Sequence, residues 1–133
     1  MKRAILTLTL TLTAVAIGCG GGESDEDQVR GTIETFAAAN LDEDWSGACD
    51  QLTDEAKKAL SDAGQLFGGK GCTGVLKAAI SQLSPAELKK EFGDLKISNV
   101  KVDGDNATVK VNGENVRMVK QGEAWLLDFN PTG

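Results

Sequence analysis

Residues 95–129, LKISNVKVDGDNATVKVNGENVRMVKQGEAWLLDF, decide the fold, because their apolar positions recur at every second residue. This alternation is typical of β-strands that have one face on a core and the other in solvent. The pairs Asp103-Gly104, Asn112-Gly113 and Gln121-Gly122 interrupt it, and such pairs favour tight hairpin turns. We therefore predict four consecutive antiparallel strands.

The apolar positions change parity within the first predicted strand. They are odd-numbered at Leu95 and Ile97 but even-numbered at Val100 and Val102. A change of parity in a strand is the pattern that a β-bulge produces, since the bulge adds one residue to one strand. We expect a bulge at residues 98–99.

Upstream of these strands the apolar spacing is that of helices. A first helix is expected to start at Asp25 with Ser24 as its cap, and to end at Asn40 in a left-handed conformation. Its apolar stripe consists of Val29, Ile33, Phe36 and Ala37. Stripes of this kind pack against a sheet, so the predicted fold class is α+β, with N-terminal helices on a four-stranded antiparallel sheet.

Further helices are expected between residues 44 and 93. Asp44, Thr53 and Thr73 are predicted to open three of them, and Gly64 is predicted to close the one that Thr53 opens. The run Ser84-Pro85-Ala86-Glu87 has the pattern of a capping box with proline at the first helical position, and Gly93 follows where a helix would end.

The composition of the 133-residue chain excludes several function classes. Its 41% hydrophobic and 26% charged residues are typical of a globular protein, and its net charge is −6. We expect no nucleic-acid binding, because phosphate contacts require clustered lysine and arginine. The chain has no histidine, which is the commonest general base and metal ligand. We predict no metal site and no cofactor.

The N-terminus has the three-part layout of a secretory signal peptide. Lys2 and Arg3 form a basic start, residues 4–17 carry no charge, and Gly18 follows. The uncharged stretch is shorter than the about 20 residues needed to span a bilayer. The alternating leucine and threonine residues at 6–13 leave an amphipathic strand as the alternative.

The segment Val15-Ala16-Ile17-Gly18-Cys19 resembles the bacterial lipobox, although Ala16 stands where leucine is usual. The resemblance implies that residues 1–18 are a lipoprotein signal peptide and that Cys19 becomes the lipidated first residue. Residues 19–24 would then be a flexible glycine-rich and acidic tether. The implied partner is the membrane, through the lipid on Cys19, and the implied location is the extracytoplasmic side of the cell membrane.

If Cys19 carries lipid, Cys49 and Cys72 remain as a pair. Export would place them where disulfides persist, so we predict a disulfide between them. On the loop-entropy account, closing this loop stabilises the fold by roughly 3 to 3.5 kcal/mol. A reactive thiol or a zinc site is the alternative, but the chain has neither histidine nor a Cys-x-x-Cys spacing to support it.

Five stretches together resemble the small NTF2-like lipoproteins of bacteria, especially those of actinobacterial type. They are residues 29–40, 49–53, the cysteine at 72, 100–109 and 122–127. The resemblance assigns residues 25–133 to one NTF2-like α+β domain. It implies a curved sheet that wraps around the first helix as a cone, with a cavity at the wide end.

The NTF2-like fold hosts isomerases, dehydratases and binding modules, so it leaves function open. We predict a non-enzymatic binding or interaction module of the cell envelope. It would bind a protein partner or a second copy through the sheet, or a small apolar ligand in the cone. The candidate residues of the cavity or sheet face are Phe36, Trp125, Leu127 and Phe129. The alternative is an isomerase or dehydratase with a buried carboxylate, for which Asp128 is the weak candidate.

Overall fold

The computed structural model describes residues 24–129. The helices are α1 (Asp25–Leu41), α2 (Trp45–Asp50), α3 (Asp54–Phe67), α4 (Gly71–Ile80) and α5 (Pro85–Leu88), followed by a π-helical segment (Lys89–Gly93). The strands are β1 (Ile97–Asp103), β2 (Asn106–Val111), β3 (Glu114–Gln121) and β4 (Ala124–Leu127). The predicted signal peptide, the lipidated Cys19 and the tether as far as residue 23 lie outside the described residues.

The strands form one open sheet in the order β1-β2-β3-β4, with every neighbouring pair antiparallel. The predicted meander and the α+β class are therefore confirmed. The β2–β3 turn is Asn112-Gly113, at φ 51° and 90°, as a two-residue hairpin of type I′ requires. The register shifts between Ser98 and Lys101, which confirms the bulge, and Asn99 takes the left-handed conformation there.

Helix α1 starts where predicted, since the Ser24 side chain accepts a hydrogen bond from the backbone of Asp27. Its predicted end was wrong. Asn40 is buried inside the helix, and its side-chain amide donates to the carbonyl of Phe36 at 2.8 Å. The left-handed conformation falls instead on Glu43, at φ 59°. Burial of Asn40 and the bond from its side chain to the preceding turn thus accompany a helical conformation, despite the preference of asparagine for helix ends.

The predicted end of α3 and the predicted start of α4 were also wrong. Helix α3 continues through Gly64 and ends at Phe67, and Gly68 caps it with the φ of 80° typical of a glycine cap. A Cβ atom at residue 64 would collide with Cγ2 of Val75, so Gly64 serves close packing between α3 and α4. Helix α4 begins at Gly71, before Thr73, and its first turn carries Cys72 of the disulfide.

The capping box at α5 is confirmed: the backbone of Ser84 donates to the Glu87 carboxylate at 2.7 Å, and Ser84 accepts from the backbone of Glu87. The α-helix lasts only one turn and then widens into the π-helical segment. That segment ends with a bond from the amide of Asp94 to the carbonyl of Lys89, five residues earlier. Phe92 lies in this segment, edge-on to the ring of Phe36.

The core lies between α1, the start of α3 and the inner face of the sheet. Its buried members are Val29, Ile33, Leu52, Ala56, Ala107, Val109, Met118, Trp125 and Leu127. A smaller cluster joins α1, α2 and α4, and it consists of Ala39, Ala48, Cys49 and Leu76. Cys49 and Cys72 lie at disulfide-bonding distance, with their Cα atoms 6.1 Å apart, as predicted. The disulfide therefore ties α2 to α4 beside the smaller cluster.

The first residue of α1 is bonded to the end of the sheet. Asp25 Oδ1 accepts hydrogen bonds from Trp125 Nε1 at 3.0 Å and from Lys120 Nζ at 2.9 Å. The Trp125 side chain is 2% exposed, and a buried indole N–H needs an acceptor. The hydrogen bonds from Trp125 and Lys120 lower the pKa of Asp25.

We expect Asp25→Asn to destabilise the protein at pH 7 and to destabilise it less at pH 3. Because folding lowers the pKa of Asp25 from 3.8, its stabilising effect is fully present above that value and is lost as the pH falls through the folded pKa. Urea unfolding at pH 7 and pH 3 measures this difference. Glu26→Gln is the control, since it removes one charge from the same helical turn. Equal effects of the two substitutions at both pH values would contradict the assignment.

Candidate functional site

A groove of about 720 Å³, open on one side, lies between α1, the sheet and the chain around the π-helical segment. Its floor is defined by four apolar residues, Ile33, Ala37, Val116 and Leu127. Three of these, Ile33, Ala37 and Leu127, are each less than 5% exposed. The volume falls within the roughly 300 to 1,000 Å³ of small-molecule sites, and the floor is apolar as such sites usually are.

Three phenylalanines line this groove. We call Phe36, Phe92 and Phe129 the phenylalanine lip. The ring centroid of Phe36 lies 6.4 Å from that of Phe92 and 6.2 Å from that of Phe129, with the rings tilted or edge-on. These are favourable aromatic arrangements. Phe129 nevertheless remains 39% exposed, so the lip presents apolar surface to solvent.

One rim of the groove is polar. Its six residues come from two short segments, and they are Lys90, Glu91, Asp94, Lys96, Asn112 and Glu114. All six are exposed. Within the described part of the chain, none of the five charged members forms an ion pair. The groove therefore has an apolar interior and a charged, solvent-facing rim, which we call the polar rim.

Asn112 joins the two segments of the polar rim. Its Oδ1 accepts from the amide of Lys96 at 3.0 Å, and its Nδ2 donates to the carbonyl of Glu91 at 3.1 Å. Its own amide donates to the carbonyl of Lys96 at 2.9 Å. Asn112 thus makes the hairpin turn and also holds the chain that carries Phe92 and Leu95. The sequence indicated only its turn role.

The residues predicted for a cavity or sheet face separate into two places. Phe36, Leu127 and Phe129 line the groove. Trp125 is buried in the core, where its indole bonds to Asp25. The other lining residues were not predicted from the sequence, and they include Phe92, Leu95, Val111 and Asn112. Their local sequence carries no signal for the groove, because tertiary contacts bring them to it.

Asp128, the weak catalytic candidate, does not line the groove. Its Oδ1 accepts from the hydroxyl of Thr53 at 3.1 Å, and its Oδ2 lies 3.5 Å from Nε of Arg117. Thr53 is the N-cap of α3, and its amide donates to the carbonyl of Leu127 at 2.9 Å. Asp128 therefore helps to fasten the start of α3 to the last strand.

Two further findings concern residues 24–129 alone. No group of three or more cysteine, aspartate and glutamate side chains in this range is arranged to hold a metal ion. No helix in the same range combines the length and the apolar character needed to cross a membrane.

Comparison of the chain with protein-family models, with curated proteins and with solved structures gave no match.

We expect Asn112→Gly to loosen the polar rim while keeping the hairpin. Glycine accepts the positive φ of the turn but loses the side-chain bonds to Glu91 and Lys96. Each such bond contributes about 1 kcal/mol, so the loss of both should make amide hydrogen exchange in residues 90–96 up to roughly thirtyfold faster. Asn99→Gly is the control, because Asn99 has a similar φ at the bulge. If the two substitutions give the same exchange rates in this segment, Asn112 does not hold the rim.

Proposed function

We propose that the protein is a lipid-anchored binding module of the cell envelope, displayed on the extracytoplasmic side of the membrane, with the groove as its ligand-binding site. The observation that carries the binding role is the solvent-exposed phenylalanine lip over an apolar floor. The anchoring role is supported by the signal-peptide layout of residues 1–18 and by the lipobox resemblance at Cys19.

An open apolar groove is unfavourable unless something covers it. Contact of apolar surface with water costs about 25 cal/mol per Å². Concave sites with an apolar lining are the usual binding sites for small molecules. This chain has only 5% aromatic residues, yet three of them converge on one groove. A ligand that covers the phenylalanine lip would explain why these three rings are gathered in one groove.

The groove is a better candidate than the outer face of the sheet. At the centre of that face, exposed Lys101, Thr108 and Arg117 lie side by side in register on three neighbouring strands. A polar face of this kind is stable in water and does not need a partner. Of the two binding surfaces that the sequence suggested, the sheet and the cone, we therefore propose the groove.

Binding suits the groove better than the alternative isomerase or dehydratase chemistry. The carboxylates nearest to it, Glu91, Asp94 and Glu114, are exposed on the rim. A general base for a ligand on the apolar floor would have to reach that ligand at hydrogen-bond distance. Asp128 is bonded to Thr53 and Arg117 outside the groove.

The NTF2-like resemblance supports the same proposal. In that interpretation α1 is the central helix of the cone, and the groove beside Phe36 is its wide end. Helix α1 begins six residues after Cys19, so the tether spans at most about 20 Å. Two or three acyl chains on Cys19 would make attachment stable, because each buried methylene contributes about 0.8 kcal/mol. The groove would thus work close to the bilayer surface.

Mass spectrometry of the protein extracted from its own membranes tests both halves of the proposal. The denatured polypeptide should begin at Cys19 and carry covalent acyl chains. Under native conditions the protein should also retain a non-covalent apolar ligand. Val116→Trp should fill the groove with a larger side chain. This variant should therefore keep its covalent acyl chains and lose only the non-covalent ligand. Val119→Trp places the same side chain on the opposite face of β3 and should keep both masses.

A polypeptide that begins at Met1 and carries no acyl mass would refute the anchor. Native protein without a bound ligand, or a ligand that persists in Val116→Trp, would refute the groove as the binding site.

A further inference from the structure

We propose that the groove binds a single-chain amphiphile with a cationic head, whose hydrocarbon tail lies on the floor and under the phenylalanine lip while its head lies at the polar rim. The inference depends on the proposed binding role of the groove and adds the chemistry of its occupant.

The interior of the groove selects a hydrocarbon tail. Its floor residues carry only aliphatic side chains, and its lip carries only phenyl rings. The backbones of α1 and of the strands are engaged in helix and sheet hydrogen bonds. A polar ligand group placed there would lose its hydrogen bonds to water without replacement. The part of the ligand that enters the groove must therefore be apolar.

The volume favours one chain. A groove of about 720 Å³ suits a single drug-sized ligand. The two tails of an ordinary bilayer lipid would exceed it. Since the groove is open on one side, the end of the ligand that remains outside stays in water.

The polar lining residues determine where that end lies. All six belong to residues 90–96 and 112–114, which Asn112 holds together. The opposite walls, from α1 and β4, are apolar. The lining thus has an apolar part and a polar part, as an amphiphile has a tail and a head. The head of the ligand would lie at the polar rim.

The charges of the polar rim favour a cationic head. The rim carries three carboxylates, on Glu91, Asp94 and Glu114, and two ammonium groups, on Lys90 and Lys96, so its net charge is negative. Lys90 also lies near a further carboxylate: the pKa of Glu87 is lowered first by its hydrogen bonds from Ser84 and then by the charge of Lys90. The chain as a whole carries a net charge of −6, which adds a field of the same sign.

The expected selectivity is modest because the rim is solvated. One net charge about 7 Å from the head changes affinity in water by about threefold. A cationic amphiphile should therefore bind about threefold more tightly than a neutral one and about sevenfold more tightly than an anionic one. Salt should reduce both differences, since the interacting charges are exposed.

An NMR titration of the full-length chain with Cys19→Ser tests this ranking, because that variant has no acyl chain of its own to compete. The probes are dodecyltrimethylammonium, dodecyl maltoside and dodecanoate, each below its micelle concentration. The amide signals of Phe36, Val116 and Leu127 should shift in all three titrations, with affinities in the order cationic, neutral, anionic. Tetramethylammonium, which has no tail, should not bind.

Glu114→Lys gives the polar rim a net positive charge and should reverse the order of the charged probes. Glu123→Lys is the matched control, because it changes the charge of the chain equally from the exposed β3–β4 turn and should leave the order unchanged. Raising the salt concentration should bring the three affinities closer together when the rim is unsubstituted. This result tests the role of charge without a substitution at this site.

The outcomes separate the two proposals. If dodecanoate binds as tightly as dodecyltrimethylammonium, or if Glu123→Lys acts like Glu114→Lys, the cationic head is refuted and the binding groove stands. If none of the three probes shifts the groove signals, or if Val116→Trp binds them equally well, the groove itself is refuted as the site.

Discussion

The contact on which the rest of the structure depends is the packing of α1 across the inner face of the sheet. Val29 is fully buried in that contact. Two side chains fasten the helix to opposite edges of the sheet, since Arg30 donates to the carbonyl of Ile97 on β1 and Thr32 donates to the carbonyl of Trp125 on β4. Asp25 adds the bonds at the helix start. Phe36, further along the same helix, then lies beside the groove.

The groove follows from how that helix is held. Its floor uses the same apolar stripe that builds the core, so the binding surface is a continuation of the core into solvent. Two further features hold the part of the phenylalanine lip that lies outside α1. They are the π-helical segment Lys89–Gly93, which carries Phe92, and the three hydrogen bonds of Asn112. A disulfide between Cys49 and Cys72 braces the helices on the other side of α1. The site is thus carried by a scaffold whose parts are fixed independently of any ligand.

Sequence periodicity and local chemistry predicted the elements better than their ends. Asn112-Gly113 specified a hairpin and Ser84 specified a helix start, because each acts through bonds to residues nearby in the chain. Gly64 was wrongly predicted to end α3. A glycine is needed there because of close contact with Val75 on another helix, which the local sequence does not reveal. The same distinction holds at the site. Strand parity and helical spacing drew attention to Leu127 and Phe36, whereas Phe92 and the amide bridge of Asn112 depend on contacts between segments distant in sequence.

The central claim is that an apolar groove stays open between α1 and the sheet. A crystal structure of the protein under xenon pressure tests it most directly, since xenon enters apolar space that water does not fill favourably. We expect xenon on the floor between Ile33, Val116 and Leu127, with the phenylalanine lip at the mouth. Rings of Phe36 and Phe92 turned inward to fill the space, with no xenon bound, would contradict the account.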